Sequence, residues 1–145
     1  MPMYSTNKRA RFDYDILDTY EAGLVLSGPE VKSIRTQSVK LAGSFVTFHG
    51  DDANLINLHI PKYQKASTLN NYNPDRSRRL LLRKKEIDYL RGKAQENSLT
   101  IIPLSLYTKG PFIKVEIGVA RGKKKYDKRE KIKRRDIERE MRRKI

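Results

Sequence analysis

Cysteine and tryptophan are absent from the 145 residues of this sequence, and histidine occurs only twice. The absence of cysteine excludes disulfide bridges and cysteine-ligated metals, and it fits a reducing compartment. No apolar run approaches the roughly 18 residues of a membrane-spanning helix. The first residues of the sequence also contain no apolar signal segment. We therefore expect a soluble, cytoplasmic protein with no membrane partner.

The two histidines offer little for catalysis. His49 lies in a predicted turn and His59 on a predicted strand, and no Ser/His/Asp set or glycine-rich phosphate loop can be assembled around them. Asp13 and Asp15, on a predicted strand, would point the same way and offer two oxygens to a metal. Carboxylates at this spacing are far more often solvated. We expect no enzymatic activity, no cofactor and no metal.

Acidic residues are outnumbered, because 32 Lys and Arg against 17 Asp and Glu leave a net charge of +15. A charge of this size points to a polyanion, either a nucleic acid or an acidic membrane surface. It is unevenly distributed: residues 121–145 hold 14 of the basic and 5 of the acidic residues, which is +9. This segment is so poor in large apolar residues that burial cannot offset its ordering entropy.

The sequence therefore divides into a body, residues 1–120, and a basic C-terminal tail, residues 121–145. We expect the tail to be disordered in the free protein and helical from about residue 130 once it is bound to an anionic partner. Pairs of Glu with Lys or Arg at i, i+4 favour such a helix, although an isolated helix of this length is marginal. The pairs are Glu130–Arg134, Glu138–Arg142 and Glu140–Lys144.

Alternation of apolar and polar residues predicts six short strands in the body. Gly23 lies inside the second strand and indicates a bulge or a close backbone approach. In the last strand Ile113, Val115, Ile117 and Val119 face one way. The predicted strands are residues 12–17, 20–26, 45–48, 55–60, 99–107 and 112–120.

Two helices are predicted between these strands. Ser27 and Glu30 form a capping box with Pro29 in the first turn, which starts a helix that runs to about residue 37. A second amphipathic helix is predicted over residues 83–96. Six strands, two to three helices and no βαβ rhythm favour a mainly β fold, an OB-like antiparallel barrel that binds nucleic acid.

Basic and aromatic residues of the body offer the chemistry for RNA. Lysine and arginine contact phosphates, and tyrosine rings stack on splayed bases. Residues 61–77 form a long loop without a period, which indicates a functional or mobile segment. The candidate basic residues are Lys8, Arg9, Arg11, Lys32, Arg35, Arg76, Arg78 and Arg79, and the candidate tyrosines are Tyr14, Tyr20, Tyr63, Tyr72 and Tyr126.

Successive motifs of the sequence resemble the SmpB family, the SsrA-binding proteins of bacteria. They are NKRARFDY, TYEAGLVLSGPEVKSIRTQSVKL, NLHIPKY, RRLLLRKKEIDYL, IIPLSLY and ARGKKKYDKRE, and they cover residues 7–136 in the order and spacing of that family. The resemblance implies an RNA-binding protein that binds the tRNA-like domain of transfer-messenger RNA (tmRNA). It would deliver tmRNA to stalled ribosomes for trans-translation, which rescues the ribosome and tags the incomplete protein.

The partners implied by the resemblance are tmRNA and the small ribosomal subunit, where the tail would enter the decoding centre and the empty mRNA channel. Elongation factor Tu and alanyl-tRNA synthetase would take part indirectly, through tmRNA. We expect a monomer without catalytic activity.

The resemblance also implies which residues bind. Asn7, Glu21 and Leu81 match positions needed for tmRNA binding, where Asn7 would bond a base edge or 2′-OH and Leu81 would pack an unstacked base. Glu21 would accept a hydrogen bond from the RNA or brace a neighbouring arginine. Lys8, Arg9, Lys32 and Arg35 would be phosphate contacts.

In the tail, the GKK and DKR motifs match the part of the family that acts on the ribosome. Tyr126 would stack on a base of the decoding centre. The tail residues are Gly122, Lys123, Lys124, Tyr126, Asp127, Lys128, Arg129, Ile132 and Lys133.

Two alternatives remain open from the residues alone. One is a generic OB-fold RNA-binding or ribosome-associated protein, which charge alone supports. The other is a tail that lies on a membrane surface, for which the apolar area is small. The sequence also departs from the family in the loop before the leucine run, where Pro74 precedes Asp75 instead of following an Asp.

Overall fold

The computed structural model describes residues 3–63 and 72–123 of the chain. These residues form seven strands and three helices. The strands are β1 Met3–Thr6, β2 Tyr14–Leu24, β3 Phe45–His49, β4 Asp52–Ile56, β5 Arg78–Leu81, β6 Leu99–Lys109 and β7 Phe112–Gly122, and the helices are α1 Ala10–Asp13, α2 Gly28–Thr36 and α3 Lys84–Ala94.

The seven strands form one antiparallel sheet in the order β1-β6-β7-β2-β5-β4-β3. The β3 edge comes back against β6, so the sheet curls into a partly open barrel. A cavity of about 520 Å³ lies along this seam, with α3 beside it. The predicted OB-like antiparallel architecture is confirmed.

The inward face of the sheet carries the core. Ile113, Val115, Ile117 and Val119 are all buried, as their spacing predicts, and they pack with apolar residues from β2, β4 and β5. The β6–β7 hairpin turns at Gly110, and the β3–β4 hairpin turns at Gly50. Both glycines have φ near +60°, a conformation that glycine adopts at little cost.

The strand prediction needs several corrections. The predicted strands 12–17 and 20–26 are parts of one strand, β2 Tyr14–Leu24, which continues through a bulge between Ile16 and Asp18, and residues 12–13 belong to α1. The bulge therefore does not lie at Gly23. Gly23 shows the alternative feature that its position predicts, a close approach of its backbone to a neighbouring strand. The predicted strand 55–60 is β4 Asp52–Ile56, which begins and ends earlier. The strands β1 and β5 were not predicted, because each is only four residues long and shows no repeated alternation.

The helix predictions are confirmed. The Ser27 side chain accepts from the Glu30 N–H at 3.3 Å while the Glu30 carboxylate accepts from the Ser27 N–H at 3.0 Å, so α2 starts with the predicted capping box. Helix α3 lies within the predicted residues 83–96. Asp13 ends α1 whereas Asp15 lies on β2, so the two carboxylates do not share a strand.

Candidate RNA-binding surface

One row of ladder partners crosses five neighbouring strands on the outside of the sheet. The partners share one face, because residues paired in an antiparallel ladder point the same way and their sequence neighbours point inward. The row is Met3, Tyr107, Lys114, Gly23 and Leu81. We call the surface around this row the five-strand face.

Glu21 lies on the five-strand face, two residues before Gly23 on β2. The Tyr107 hydroxyl donates to its Oε2 at 2.5 Å, and the Lys109 ammonium lies 3.3 Å from its Oε1. The Tyr107 hydrogen bond lowers the pKa of Glu21 against the opposing effect of burial, and Lys109 lowers it further. Glu21 is therefore an ionised brace whose partners are a tyrosine and a lysine, not the predicted arginine.

The sequence did not single out Tyr107 or Lys109. Tyr107 is the last residue of the predicted strand 99–107 and Lys109 lies beyond it, but β6 extends to Lys109. Burial and the contact with Glu21 raise the pKa of the Tyr107 phenol, so it keeps its proton as the donor. The two-residue period of β6 is the signal that places both residues on one face.

Leu81 is exposed over 56 % of its surface, although it lies between two leucines that are more buried. It stands beside Gly23, whose backbone is so close that an added Cβ would lie 3.2 Å from the Leu81 Cβ. This geometry confirms the close approach predicted at Gly23. The exposed Leu81 side chain and the backbone of Gly23 beside it form a small apolar surface. A base can pack against such a surface.

Asn7 is tied to the barrel directly after β1. Its side-chain amide donates to the Pro103 carbonyl at 3.1 Å, and its backbone N–H donates to the Leu104 carbonyl at 2.8 Å. Asn7 and Arg9 line a surface cavity of about 240 Å³. Lys8 and Arg9 are exposed, and the Arg9 guanidinium lies over the Phe12 ring and makes a long ion pair of 3.8 Å with Asp13.

Lys32 and Arg35 are exposed on α2. The Lys32 ammonium lies 5.8 Å from the centre of the Tyr63 ring. The structure therefore places these two predicted phosphate contacts beside the loop that follows β4. It does not join them by any described contact to Glu21 or Leu81.

Arg78 is not a phosphate contact, because its side chain is fully buried. Its Nε and Nη2 donate to one oxygen of the fully buried Glu30 at 2.9 and 2.8 Å. Arg76, half-exposed, pairs with the other Glu30 oxygen. Burial favours the protonated Glu30, but Arg76, the Ser27 N–H and Arg78 together outweigh it and lower the Glu30 pKa. Both arginines bind Glu30, and the complete burial of Arg78 contradicts its sequence-based assignment as a phosphate contact.

The base of the tail is fixed to the barrel. Strand β7 runs to Gly122, and the Lys123 N–H donates to the Asp13 carbonyl at 3.0 Å. The Lys123 ammonium donates to the Arg11 carbonyl at 2.9 Å, and its side chain is only 3 % exposed. Lys123 therefore contacts the protein itself. The remaining predicted tail residues, Lys124, Tyr126, Asp127, Lys128, Arg129, Ile132 and Lys133, lie outside the described residues.

Within residues 3–63 and 72–123, no group of three or more His, Asp or Glu side chains is placed to hold a metal ion. In the same part of the chain, no helix has the length and apolar character needed to cross a membrane.

Comparison with known proteins points to one family. The family model described as SmpB protein matches residues 4–145. The SsrA-binding protein of Trichodesmium erythraeum is 52 % identical over 141 residues, which are 97 % of this chain and 90 % of the relative. The SsrA-binding protein of Thermosipho melanesiensis is 52 % identical over 143 residues, which are 98 % and 97 % of the two chains.

A solved structure agrees with these relatives. It is described as "tmRNA-SmpB: a journey to the center of the bacterial ribosome", and one of its chains is 46 % identical. The match has a TM-score of 0.71 and covers 86 % of this chain and 87 % of the solved one.

Proposed function

This chain belongs to the SmpB family, and we propose that it binds tmRNA and brings it to stalled ribosomes for trans-translation. The observation that carries the proposal is the 52 % identity to an SsrA-binding protein over 97 % of the chain. The family model matches residues 4–145, so the likeness covers both the barrel and the tail. The solved tmRNA–SmpB structure supports the same partner.

We assign tmRNA binding to the barrel. Glu21 and Leu81 support the assignment because both lie on the five-strand face, where a base can pack on Leu81. Asn7, Lys8 and Arg9 follow β1, whose Met3 lies in the same row. Lys32 and Arg35 form a second basic site on α2, next to Tyr63.

We assign ribosome binding to the tail, which leaves the barrel at Lys123. Its motifs and its charge of +9 over residues 121–145 suit the phosphate-lined mRNA channel and decoding centre of the small subunit. Elongation factor Tu and alanyl-tRNA synthetase would meet this protein only through tmRNA. We propose a cytoplasmic monomer and assign no reaction to the chain.

The first experiment measures affinity for the tRNA-like domain of tmRNA and for an unrelated RNA hairpin of equal length at physiological salt. The proposal expects much tighter binding of the tRNA-like domain. Equal affinity for the two RNAs would identify a generic RNA-binding protein instead.

The second experiment separates barrel from tail. A chain that ends after Lys123 keeps the contacts to Asp13 and Arg11 that hold the end of β7 against α1. We expect it to retain tmRNA affinity and to lose tagging of stalled chains. The matched variant is the full-length chain with Asp127, Lys128 and Arg129 all replaced by Ala, which should lose tagging with an unchanged melting temperature. A parallel loss of RNA affinity in both proteins would contradict the division.

A further inference from the structure

The three most exposed large apolar side chains of the described residues lie on the five-strand face. They are Phe112, exposed over 64 % of its surface, Met3 at 59 % and Leu81 at 56 %. Met3 and Leu81 belong to the row that defines the face, and Phe112 precedes Lys114 by two residues on β7. Met3 and Leu81 stand at opposite ends of the row, so of the three it is Phe112 that combines an exposed ring with a cation over its face.

Phe112 is presented by the hairpin that joins β6 to β7. It pairs with Lys109 across the turn, and its neighbour Ile113 points into the core, so its ring stands outward on a rigid strand end. The Lys114 ammonium lies 5.7 Å from the ring centre on one side. A flat aromatic surface next to a cation is the arrangement on which proteins stack unpaired bases.

Two lysines flank this ring with free donor capacity. Lys109 is 58 % exposed and uses its ammonium for a single described contact, the 3.3 Å pair with Glu21. The Lys114 ammonium lies over the bare backbone of Gly23, 3.6 Å from where a Cβ would be. An ammonium has three donors, so both lysines can still bind a phosphate.

The carboxylates of the face limit where a phosphate can lie. Glu116 is the ladder partner of Glu21, so two negative charges face the middle of the sheet. Lys109, Phe112 and Lys114 lie toward the hairpin end, and Lys109 and Lys114 both act on the Glu21 carboxylate and lower its pKa. A phosphate is favoured at the hairpin end, where two ammonium groups face the single carboxylate of Glu21.

We propose that the β6–β7 hairpin binds one unpaired nucleotide of RNA. Its base stacks on Phe112 and its phosphate lies between Lys109 and Lys114, while Glu21 positions Lys109 and does not itself contact the RNA. The proposal rests on the proposed function, because it names a subsite of the same RNA-binding surface. Ring stacking tolerates any base, so this subsite adds affinity without sequence preference.

The test measures the affinity of full-length variants for the tRNA-like domain. Phe112→Ala should weaken binding roughly 5- to 150-fold, the range of base–aromatic stacking. Phe112→Trp should retain binding, whereas Phe112→Leu, which stays apolar but loses the ring, should resemble Phe112→Ala. Leu17→Ala is the control, because Leu17 is 50 % exposed on β2 outside the row.

The lysines are tested by salt dependence. The double variant Lys109→Ala with Lys114→Ala should reduce the slope of log affinity against log salt by roughly 1.4 to 1.8, the value for two lost phosphate contacts. Replacement of the exposed Lys84, at the start of α3, should leave the slope closer to that of the parent chain.

Glu21→Gln tests the positioning role, because it removes a negative charge from the face but keeps an acceptor for Tyr107. Simple repulsion between Glu21 and RNA would make this variant bind more tightly. The brace predicts the opposite, a loss of roughly two- to five-fold. Combining Glu21→Gln with Lys109→Ala should add nothing, since Glu21 acts through Lys109.

Failure of the inference differs from failure of the proposed function. If the parent chain prefers the tRNA-like domain and neither Phe112→Ala nor the double lysine variant weakens binding, the nucleotide subsite is wrong. If the parent chain shows no preference, the proposed function is wrong. Melting temperatures equal to the parent's confirm that each variant is folded, as expected for exposed positions.

Discussion

The buried ion pair between Arg78 and Glu30 offers the sharpest test of how this barrel is held together. The guanidinium of Arg78 also donates to the carbonyl oxygens of Leu58 and Pro74, and it lies 3.3 Å from the Tyr72 hydroxyl. It therefore joins the start of α2 to both sides of the loop between β4 and β5. We expect Glu30→Gln, which keeps size and shape but removes the charge, to destabilise the protein strongly.

The magnitude follows from burial. Both side chains have 0 % exposure, so Glu30→Gln leaves the Arg78 charge without its carboxylate in a medium that solvates it poorly. Breaking such a pair costs about 3–5 kcal/mol. For a domain of this size, that corresponds to a fall in melting temperature of roughly 10–20 °C. Arg78→Met should cost a similar amount, because it also deprives two carbonyl groups of their donor.

The double variant decides whether the charges are coupled. Glu30→Gln with Arg78→Met leaves no unpaired charge between them, so its loss of stability should fall short of the sum of the single losses by about 2 kcal/mol. Thermal melting followed by circular dichroism measures all three. The control is Arg79→Met, whose pair with Asp52 is exposed and contributes about 1 kcal/mol or less. Additive losses, or equal losses for Arg78→Met and Arg79→Met, would refute the reasoning.

Three further changes have outcomes fixed by the structure. The pKa of Glu30 is lowered in the folded protein, so its ionised carboxylate stabilises the fold above its unfolded pKa of about 4.3. This stabilisation is lost as the pH falls through the folded pKa. As the pH is lowered from about 6 to about 3, the urea midpoint should therefore fall less steeply in Glu30→Gln than in the parent chain. Gly118→Ala would place a Cβ 2.9 Å from the Leu104 side chain and should lower the free energy of unfolding by about 1–3 kcal/mol. Gly92→Ala adds a Cβ in open space on α3 and should raise the free energy of unfolding by up to about 1 kcal/mol. Denaturant unfolding measures both. Lys123→Ala should lower the melting temperature more than Lys84→Ala does, since only Lys123 is buried against the barrel; an equal effect would show that its contacts are dispensable.

The elements that the sequence predicted well are those that local chemistry determines. The capping box of Ser27 and Glu30 fixes where α2 begins, because both partners lie within one turn of chain. The alternation of β7 fixes which side faces the core. β5 escaped prediction because its four residues gain their strand conformation from pairing with β2 and β4, which are distant in sequence.

Part of the candidate site was predictable from the sequence. What the sequence does not show is which side chains of one type are buried and which are exposed. Leu81 is predicted as a binding residue only through resemblance, since an apolar run by itself predicts a buried segment, and the structure shows that its side chain is exposed. Arg78 and Arg79 are neighbours of the same type, yet one is fully buried and the other is exposed. Alternation across β5 separates them, and no composition argument can do so.

The count of 32 lysines and arginines therefore overstates how many of them can contact phosphates. Arg78 and Lys123 are covered by protein, and their charges are already matched by carboxylates or carbonyl groups. Arginine suits the buried position because its planar guanidinium group donates hydrogen bonds to several acceptors at once. The ammonium groups of Lys109 and Lys114 lie at the surface, where an ammonium is well hydrated. Affinity of the barrel for RNA must then come from its exposed cations and from exposed apolar side chains such as Phe112 and Leu81. In the proposed subsite Lys109, held by Glu21 on the face that carries Phe112, contributes through its position as well as through its charge.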